Sequence, residues 1–351
     1  MQAPVIHILP LVNIRRERRL AVPGRVIAHP GQTVAAGDVI AEATFAREHA
    51  LLDVAASLGI PAAAADKLIE CKVGDRLTQG SVIAEGKGLF PRVVRVPRDG
   101  RVVAVGGGQV MLEVNLVNQE LKAGLPGTVI EIFEGRGVMI QARGALVQGV
   151  WGNGRMDTGV MLSLMEKPDD VLTAAKLDVS LRGSIILGGH CREAEALKAA
   201  AELPLRGLVL SSLSPSILPL AVQMRYPIVV TDGIGAQAMN PAAFKLLTTN
   251  AKREATLLAE GFDRYAGTRP EVFIPLPVSQ DTPEPEDLVA FAPGQQVLLR
   301  RAPHVGSLAT ILSLRKGMVQ VDSGLRVPAA DVRLENGEQA LVPLANLEVV
   351  G

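Results

Sequence analysis

Short runs of apolar residues punctuated by glycine fill the first half of the chain, and their spacing predicts strands and tight turns. Residues 31–42 read GQTVAAGDVIAE and residues 74–85 read GDRLTQGSVIAE. Gly31 matches Gly74, Val34 matches Leu77, Gly37 matches Gly80, and Val39–Glu42 matches Val82–Glu85. A turn glycine, an apolar position three residues on, a second turn glycine and a Val-Ile strand make a compact hairpin signature. Each copy is too small to bury its own face, so the pattern predicts that the two copies pack together. Between them, Glu48–Leu58 places apolar residues at helical spacing, Gly59 stops the run, and Pro61 opens a second run to about Cys71. This predicts a helical hairpin inserted at residues 46–71.

Strand-and-turn texture continues through Val93–Val96, Arg101–Val105 and Gln109–Val114, and then from Gly127 to Val160. The expected units are a first domain over residues 1–120 and a short antiparallel β module over residues 121–165. Near residue 166 the period changes. Glu166–Asp170 reads as a polar linker whose aspartates cap a short helix at Val171–Leu177. After it, strand patterns at Ser184–Leu187, Gly207–Leu210 and Ile228–Thr231 alternate with helical patterns at Cys191–Ala201, Ser216–Met224 and Pro241–Leu247, and a late strand follows at Val272–Ile274. Such alternation predicts an α/β domain with a helix-covered parallel sheet over residues 178–279. Gln280–Asp287 (QDTPEPED) is acidic and free of apolar side chains, which makes residues 280–290 a linker. Residues 291–351 return to pure β texture. The expected fold class is therefore a multidomain chain, α/β plus all-β.

Composition narrows the function more than it widens it. Acids and bases balance at 36 each, so the basic excess of a protein that tracks nucleic-acid phosphates is missing. Two cysteines, Cys71 and Cys191, exclude a disulfide framework and favour a reducing, cytoplasmic compartment. The apolar start Val5–Val12 is short, contains His7 and Pro10, and has its arginines behind it, unlike a secretory signal. The most apolar stretch, Leu205–Val230, is broken by Arg206, Pro215, Pro219, Arg225 and Pro227, so no membrane partner is expected.

The pattern GxxVxxGxVIAE, together with Val96-Pro97-Arg98-Asp99-Gly100-Arg101-Val102-Val103, resembles the barrel-sandwich hybrid of biotinyl and lipoyl carrier domains over about residues 20–115. Carrier domains place a modified lysine at a hairpin tip. The tips here read Ala35-Ala36-Gly37, Thr78-Gln79-Gly80 and Gly106-Gly107-Gly108, so the resemblance implies the fold without a swinging-arm cofactor. Gly294-x-x-Val297, Pro303-x-x-Gly306, Ala309-x-Ile311, Met318–Val321 and Ala340–Val349 resemble a KOW domain, the SH3-like barrel of ribosome- and transcription-associated proteins. The family's usual second glycine is Ala309 here.

Candidate chemistry concentrates at two places. Gly188, Gly189 and His190 end the first α/β strand, and Thr231, Asp232 and Gly233 end the third. In a parallel sheet both ends share the carboxyl edge, where backbone amides bind phosphate or carboxylate. The plain alternative is that these glycines only permit tight turns. His190 and Cys191 together lack the further ligands that zinc needs, so no metal is expected. Arg300, Arg301, Arg315 and Lys316 are candidate contacts to a partner or RNA, as is Trp151 in its glycine-rich setting. The dense run Arg15-Arg16-Glu17-Arg18-Arg19 reads as a solvated strand edge. No catalytic dyad or triad is recognisable from spacing, and the expectation leans away from an enzyme. The leading reading is a non-enzymatic scaffold that binds a protein partner or itself. A ribosome- or transcription-associated factor, and a sensor or enzyme for a small anionic metabolite, are the alternatives.

Overall fold

The protein is described by a computed structural model over residues 2–87, 91–263, 268–277, 284–286 and 288–351. It is mostly β, with several sheets and few helices. Among the described residues no helix is long and apolar enough to cross a membrane.

The two copies of the repeat do fold alike, but they do not pack together. In the first, the Gly31 amide donates to the Val129 carbonyl at 2.7 Å, and the Val129 amide returns to Gln32 at 2.9 Å. In the second, the Gly74 amide donates to Val102 at 2.8 Å and the Val102 amide returns to Asp75 at 2.9 Å. A third pair matches as well: Ala123 donates to Asp38, and Val96 donates to Ser81, both at 2.9 Å. Each copy is thus closed by its own downstream hairpin. Val34 and Ile40 join Val12, Ile14, Val129 and Ile140 in one core. Ile83 and Ala84 join Val54, Val102 and Leu112 in another, drawn wholly from residues 50–114. The second unit is therefore nested inside the first. The sequence expectation failed because each closing hairpin supplies the apolar face its own copy lacks.

Two long strands join the nested units. Val39–Asp53 pairs antiparallel with Gln109–Lys122 along its full length. At ~3.4 Å per residue the ladder runs on the order of 50 Å, so one end lies in each core. Ile40, Ala41 and Ala43 are buried at one end, and Val110, Leu112 and Val114 at the other. Arg47, Glu48, Asn115 and Leu116 between them are exposed.

This ladder overturns most of the helical insert expected at residues 46–71. Glu48 to Asp53 is strand, and helix is confined to Val54–Leu58 and Ala62–Ala65. Asp53 caps the first helix by accepting from the Ala56 amide at 2.8 Å, and Gly59 ends it in the left-handed region at φ 69. Ala50 and Leu52 also fit a period of two, and cross-strand pairing with Leu112 and Val110 outcompetes the local helical preference.

The parallel region is one end of a thirteen-strand mixed sheet. Strands Met156–Ser163, Ile185–Leu187, Gly207–Leu213 and Ile228–Ile234 lie side by side and parallel. On its other side Met156–Ser163 pairs antiparallel with Glu254–Leu258, which pairs with Glu271–Pro275, which pairs with Gly137–Gln148. The strands expected as a module at residues 121–165 are thus shared out, Gly127–Phe133 and Gly137–Gln148 closing the first unit and Met156–Ser163 lying beside the parallel strands. Ala194–Glu202, Leu218–Gln223 and Pro241–Thr249 are helices. The helix expected at Val171–Leu177 is instead a strand at Val171–Leu172 followed by one 3-10 turn. The Asp170 carboxylate accepts from the Glu166 and Lys167 amides before it, at 2.6 and 3.0 Å, so it closes a turn and caps no helix.

The C-terminal strands form a seven-stranded sheet that takes in the start of the chain. Gln2–Ile6, expected in the first domain, sits between Leu288–Ala290 and Leu347–Val350. Ala3 and Val5 point into the core with Val297, Ile311 and Val349, which follows from their period-two spacing. Of the expected linker at residues 280–290, residues 280–283 and 287 lie outside the described residues. Glu284 pairs with Arg15 at 2.7 Å, and Leu288–Ala290 is strand.

Because the nested unit owns its core, Ile83→Ala should weaken that unit alone. The cost expected for a fully buried Ile is ~2–5 kcal/mol. Calorimetry should show one transition moving down while the remainder holds; a single transition shifting as a whole would contradict the separation.

Candidate functional site

The carboxyl ends of the parallel strands bring His190, Ser212 and Gly233 into one row, because His190 registers with Ser212 and Ser212 with Gly233. Here the candidate residues from both strand ends meet, joined by Ser211, Ser212, Gln237 and Asn240. The sequence signal for the serines was a polar pair closing the otherwise apolar strand Gly207–Leu213. Gln237 and Asn240 lie in the loop after the third strand, and nothing local marked them.

A hydrogen-bond count settles several roles. Ser212 Oγ lies 2.7 Å from the Gln237 carbonyl, which can only accept, so the hydroxyl proton is spent there. The Gln237 amide donates to the same oxygen at 3.0 Å. His190 Nδ1, 2.8 Å from that oxygen, must then be its second donor. His190 thus carries a proton on Nδ1. Burial, with Arg192 as a lesser cause, holds its pKa below the ordinary histidine value. The contact looks like a Ser–His dyad, but Ser212 is fully buried and its proton faces a carbonyl, so it is no nucleophile. Cys191 is no nucleophile either: burial pushes its thiol up to about 11.

Asp232 is the most perturbed carboxylate of the edge. Burial pushes it up to about 6, against hydrogen bonds from Thr231 and the Asn240 amide that favour the charged form. Thr231 Oγ1 lies 2.6 Å from Asp232 Oδ2 and 3.2 Å from the Leu210 carbonyl. The one hydroxyl proton of Thr231 serves one of them at a time: given to Asp232 it favours the carboxylate, and once Asp232 is protonated it is free for Leu210. Two buried atoms of the same edge, Gln237 Oε1 and Asn240 Nδ2, have no hydrogen-bond partner among the described residues.

The glycines serve geometry here. Gly189 adopts φ +63, and a Cβ on it would lie 2.1 Å from the Asp170 carbonyl oxygen. The Gly188 amide donates to Val209 at 2.9 Å and the His190 amide to Asp170 at 2.8 Å. Two of the amides expected to hold an anion are therefore already committed within the fold. The following helix starts only at Ala194, so the glycines do not sit at its N-terminus.

The C-terminal sheet touches this edge through Arg300. Arg300 donates to the Asp232 carbonyl at 3.1 Å and, through Nε, to Glu348 at 2.6 Å. Glu348 is buried and also pairs with buried Arg269. Arg300, expected to meet a partner or RNA, instead ties the C-terminal sheet to the large sheet. Arg315 pairs with Asp331 at 2.8 Å, and Arg301 and Lys316 are exposed. Trp151 is half-buried: its strand edges the large sheet beside Val230, and its ring packs against an aliphatic cluster that includes Leu210 and Val230. The basic run is consumed as well. Arg15 pairs with Glu284 and Arg18 with Glu260, both at 2.7 Å, Arg16 with Glu271 at 2.5 Å, and Arg19 with Glu17.

No protein-family model matches the chain, and no curated protein does. A solved structure that is similar, the S-adenosylmethionine:2-dimethylmenaquinone methyltransferase from Geobacillus kaustophilus HTA426, is 12% identical over 39% of this chain and 92% of that one. Its TM-score is 0.27, too low to carry an argument.

Raising the Asp232 pKa from 3.8 to about 6 means the folded state binds a proton that the unfolded state has already released. That contribution to stability is full below about pH 4 and is lost as pH rises to about 6. Asp232→Asn should flatten this stretch of the melting-temperature profile; an unchanged slope would count against the assignment. Glu348→Gln leaves two guanidinium groups without their counter-charge and should cost on the order of 3–5 kcal/mol in chemical denaturation.

Proposed function

We propose that this chain is a non-enzymatic interaction protein, a scaffold that presents a binding arm to a partner macromolecule. In this reading the nested units are barrel-sandwich hybrids without a carrier lysine at the tips Ala35–Gly37, Thr78–Gly80 and Gly106–Gly108, the parallel strands belong to an α/β domain, and the C-terminal sheet is a KOW-like barrel. The observation that carries it is the nesting. A unit with a core entirely its own projects from the remainder on two strands whose middle is solvated. Such an arm adds nothing to the other cores, and a reach of this kind suits capture of another molecule.

Other observations support the same reading. The dyad-like contact at the sheet edge is spent on internal hydrogen bonds, and Arg300 is locked into the barrel-to-sheet junction. A cytoplasmic setting belongs to the proposal and rests on two unbridged, buried cysteines. A second reading has one observation of its own. The unpartnered Gln237 Oε1 and Asn240 Nδ2 would suit a small ligand that donates to one and accepts from the other.

The arm can be removed cleanly, since Ala46 and Leu116 are cross-strand partners that an Asn-Gly turn can join. With residues 47–115 so replaced, the remaining body should keep its melting transition. Native purification of the full chain should retain a stoichiometric partner that the shortened chain loses. An identical set of retained proteins from both would refute the arm reading.

A further inference from the structure

The tip of the arm carries a groove that neither the repeat nor the sheet-edge chemistry accounts for. Its volume is about 750 Å³, within the size range of binding clefts. Leu58, Ile60 and Leu68 supply apolar wall, and Lys67, Lys87 and Arg92 stand around it. The short helices bring Lys67. The hairpin Val82–Glu85 and Val93–Arg95 brings the other two, the Gly86 amide donating to the Arg92 carbonyl at 2.8 Å to hold the hairpin's mouth together. All three cations are exposed.

Among the described residues no acid lines this groove. The nearest candidate on the same element, Asp66, is turned to the Gly108 amide at 2.7 Å. None of the three cations forms an ion pair among the described residues, whereas every arginine of the run at residues 15–19 has a carboxylate partner. Three exposed cations thus stand around an apolar hollow with no acid among its described lining residues.

We propose that this groove docks an acidic peptide segment of the partner, one that alternates carboxylates with an aliphatic side chain. The aliphatic group fills the hollow between Leu58, Ile60 and Leu68, and carboxylates on either side meet Lys67 across from Lys87 and Arg92. Charge complementarity selects the peptide's sign and the apolar floor selects its anchor. A nucleic acid would instead need stacking surfaces, and the described residues that line the groove include no aromatic. This inference rests on the arm reading above.

The test uses the full chain and a fluorescein-labelled peptide of alternating Glu and Leu, followed by fluorescence polarisation. Saturable binding is expected, weakened by salt and lost when the peptide's Leu positions become Ser. Lys67→Glu with Lys87→Glu should weaken it by about tenfold or more through reversed charge. Ala63→Trp, at an exposed position on the groove wall, should weaken it through filled volume, with charge intact. Unaltered melting transitions confirm that both variants fold. Absent saturation, or equal binding by both variants, overturns the proposal. So does displacement of the peptide by decanoate or a single-stranded oligonucleotide with higher affinity. If the peptide fails while removal of residues 47–115 still strips the natural partner, the groove assignment falls and the arm reading stands. If that removal leaves the partner bound, the arm reading itself falls.

Discussion

The ladder between Val39–Asp53 and Gln109–Lys122 is the constraint from which the rest follows. Antiparallel pairing demands a partner for every backbone amide and carbonyl along a buried strand, so once these two runs align, residues 54–108 must leave and return at the same end. That forces the second hairpin copy to close upon itself. It also brings Ala123 back beside Asp38, where the first copy can be closed by the hairpin that follows. Nesting is thus a consequence of register.

At the opposite pole a buried charge network does comparable positioning. Glu348 lies between Arg269, which precedes the last strand of the large sheet, and Arg300 of the C-terminal sheet. A lone buried carboxylate would be costly, and two guanidinium partners with the Asp232 carbonyl beyond them make it tolerable only in one relative placement. The strand Gln2–Ile6 reinforces that placement by joining the C-terminal sheet while Ile8–Arg19 joins the large sheet. The two sheets are thereby tied through covalent chain and ion pairs together, in contrast to the nested unit, which is held by two strands.

The chemistry of the sheet edge reads as internal satisfaction with two remainders. Ser212 and His190 spend their protons on each other's surroundings, and Asp232 is pushed up to about 6 by burial. Gln237 Oε1 and Asn240 Nδ2 stay unmatched. In the nested unit Lys67, Lys87 and Arg92 stand around the groove with no ion pair among the described residues.

What the residue pattern determined was local. Glycine placement announced both hairpin copies, the alternation after residue 166 announced the parallel strands, and Asn240-Pro241 announced its helix with the cap in place. The pattern also located the edge where His190 and Asp232 meet, since strand ends in parallel register share a side. It did not decide partners. Glu48–Leu52 suits helix and strand almost equally, and only the facing strand Leu112–Val114 resolved it. Gln2–Ile6 is a plausible strand whose place between Leu288–Ala290 and Leu347–Val350 no local signal carries. Arg300 looked like a surface cation until Glu348 and Arg269 closed around it. Long-range pairing and burial set these outcomes, because hydrogen-bond satisfaction and charge compensation are properties of neighbours in space.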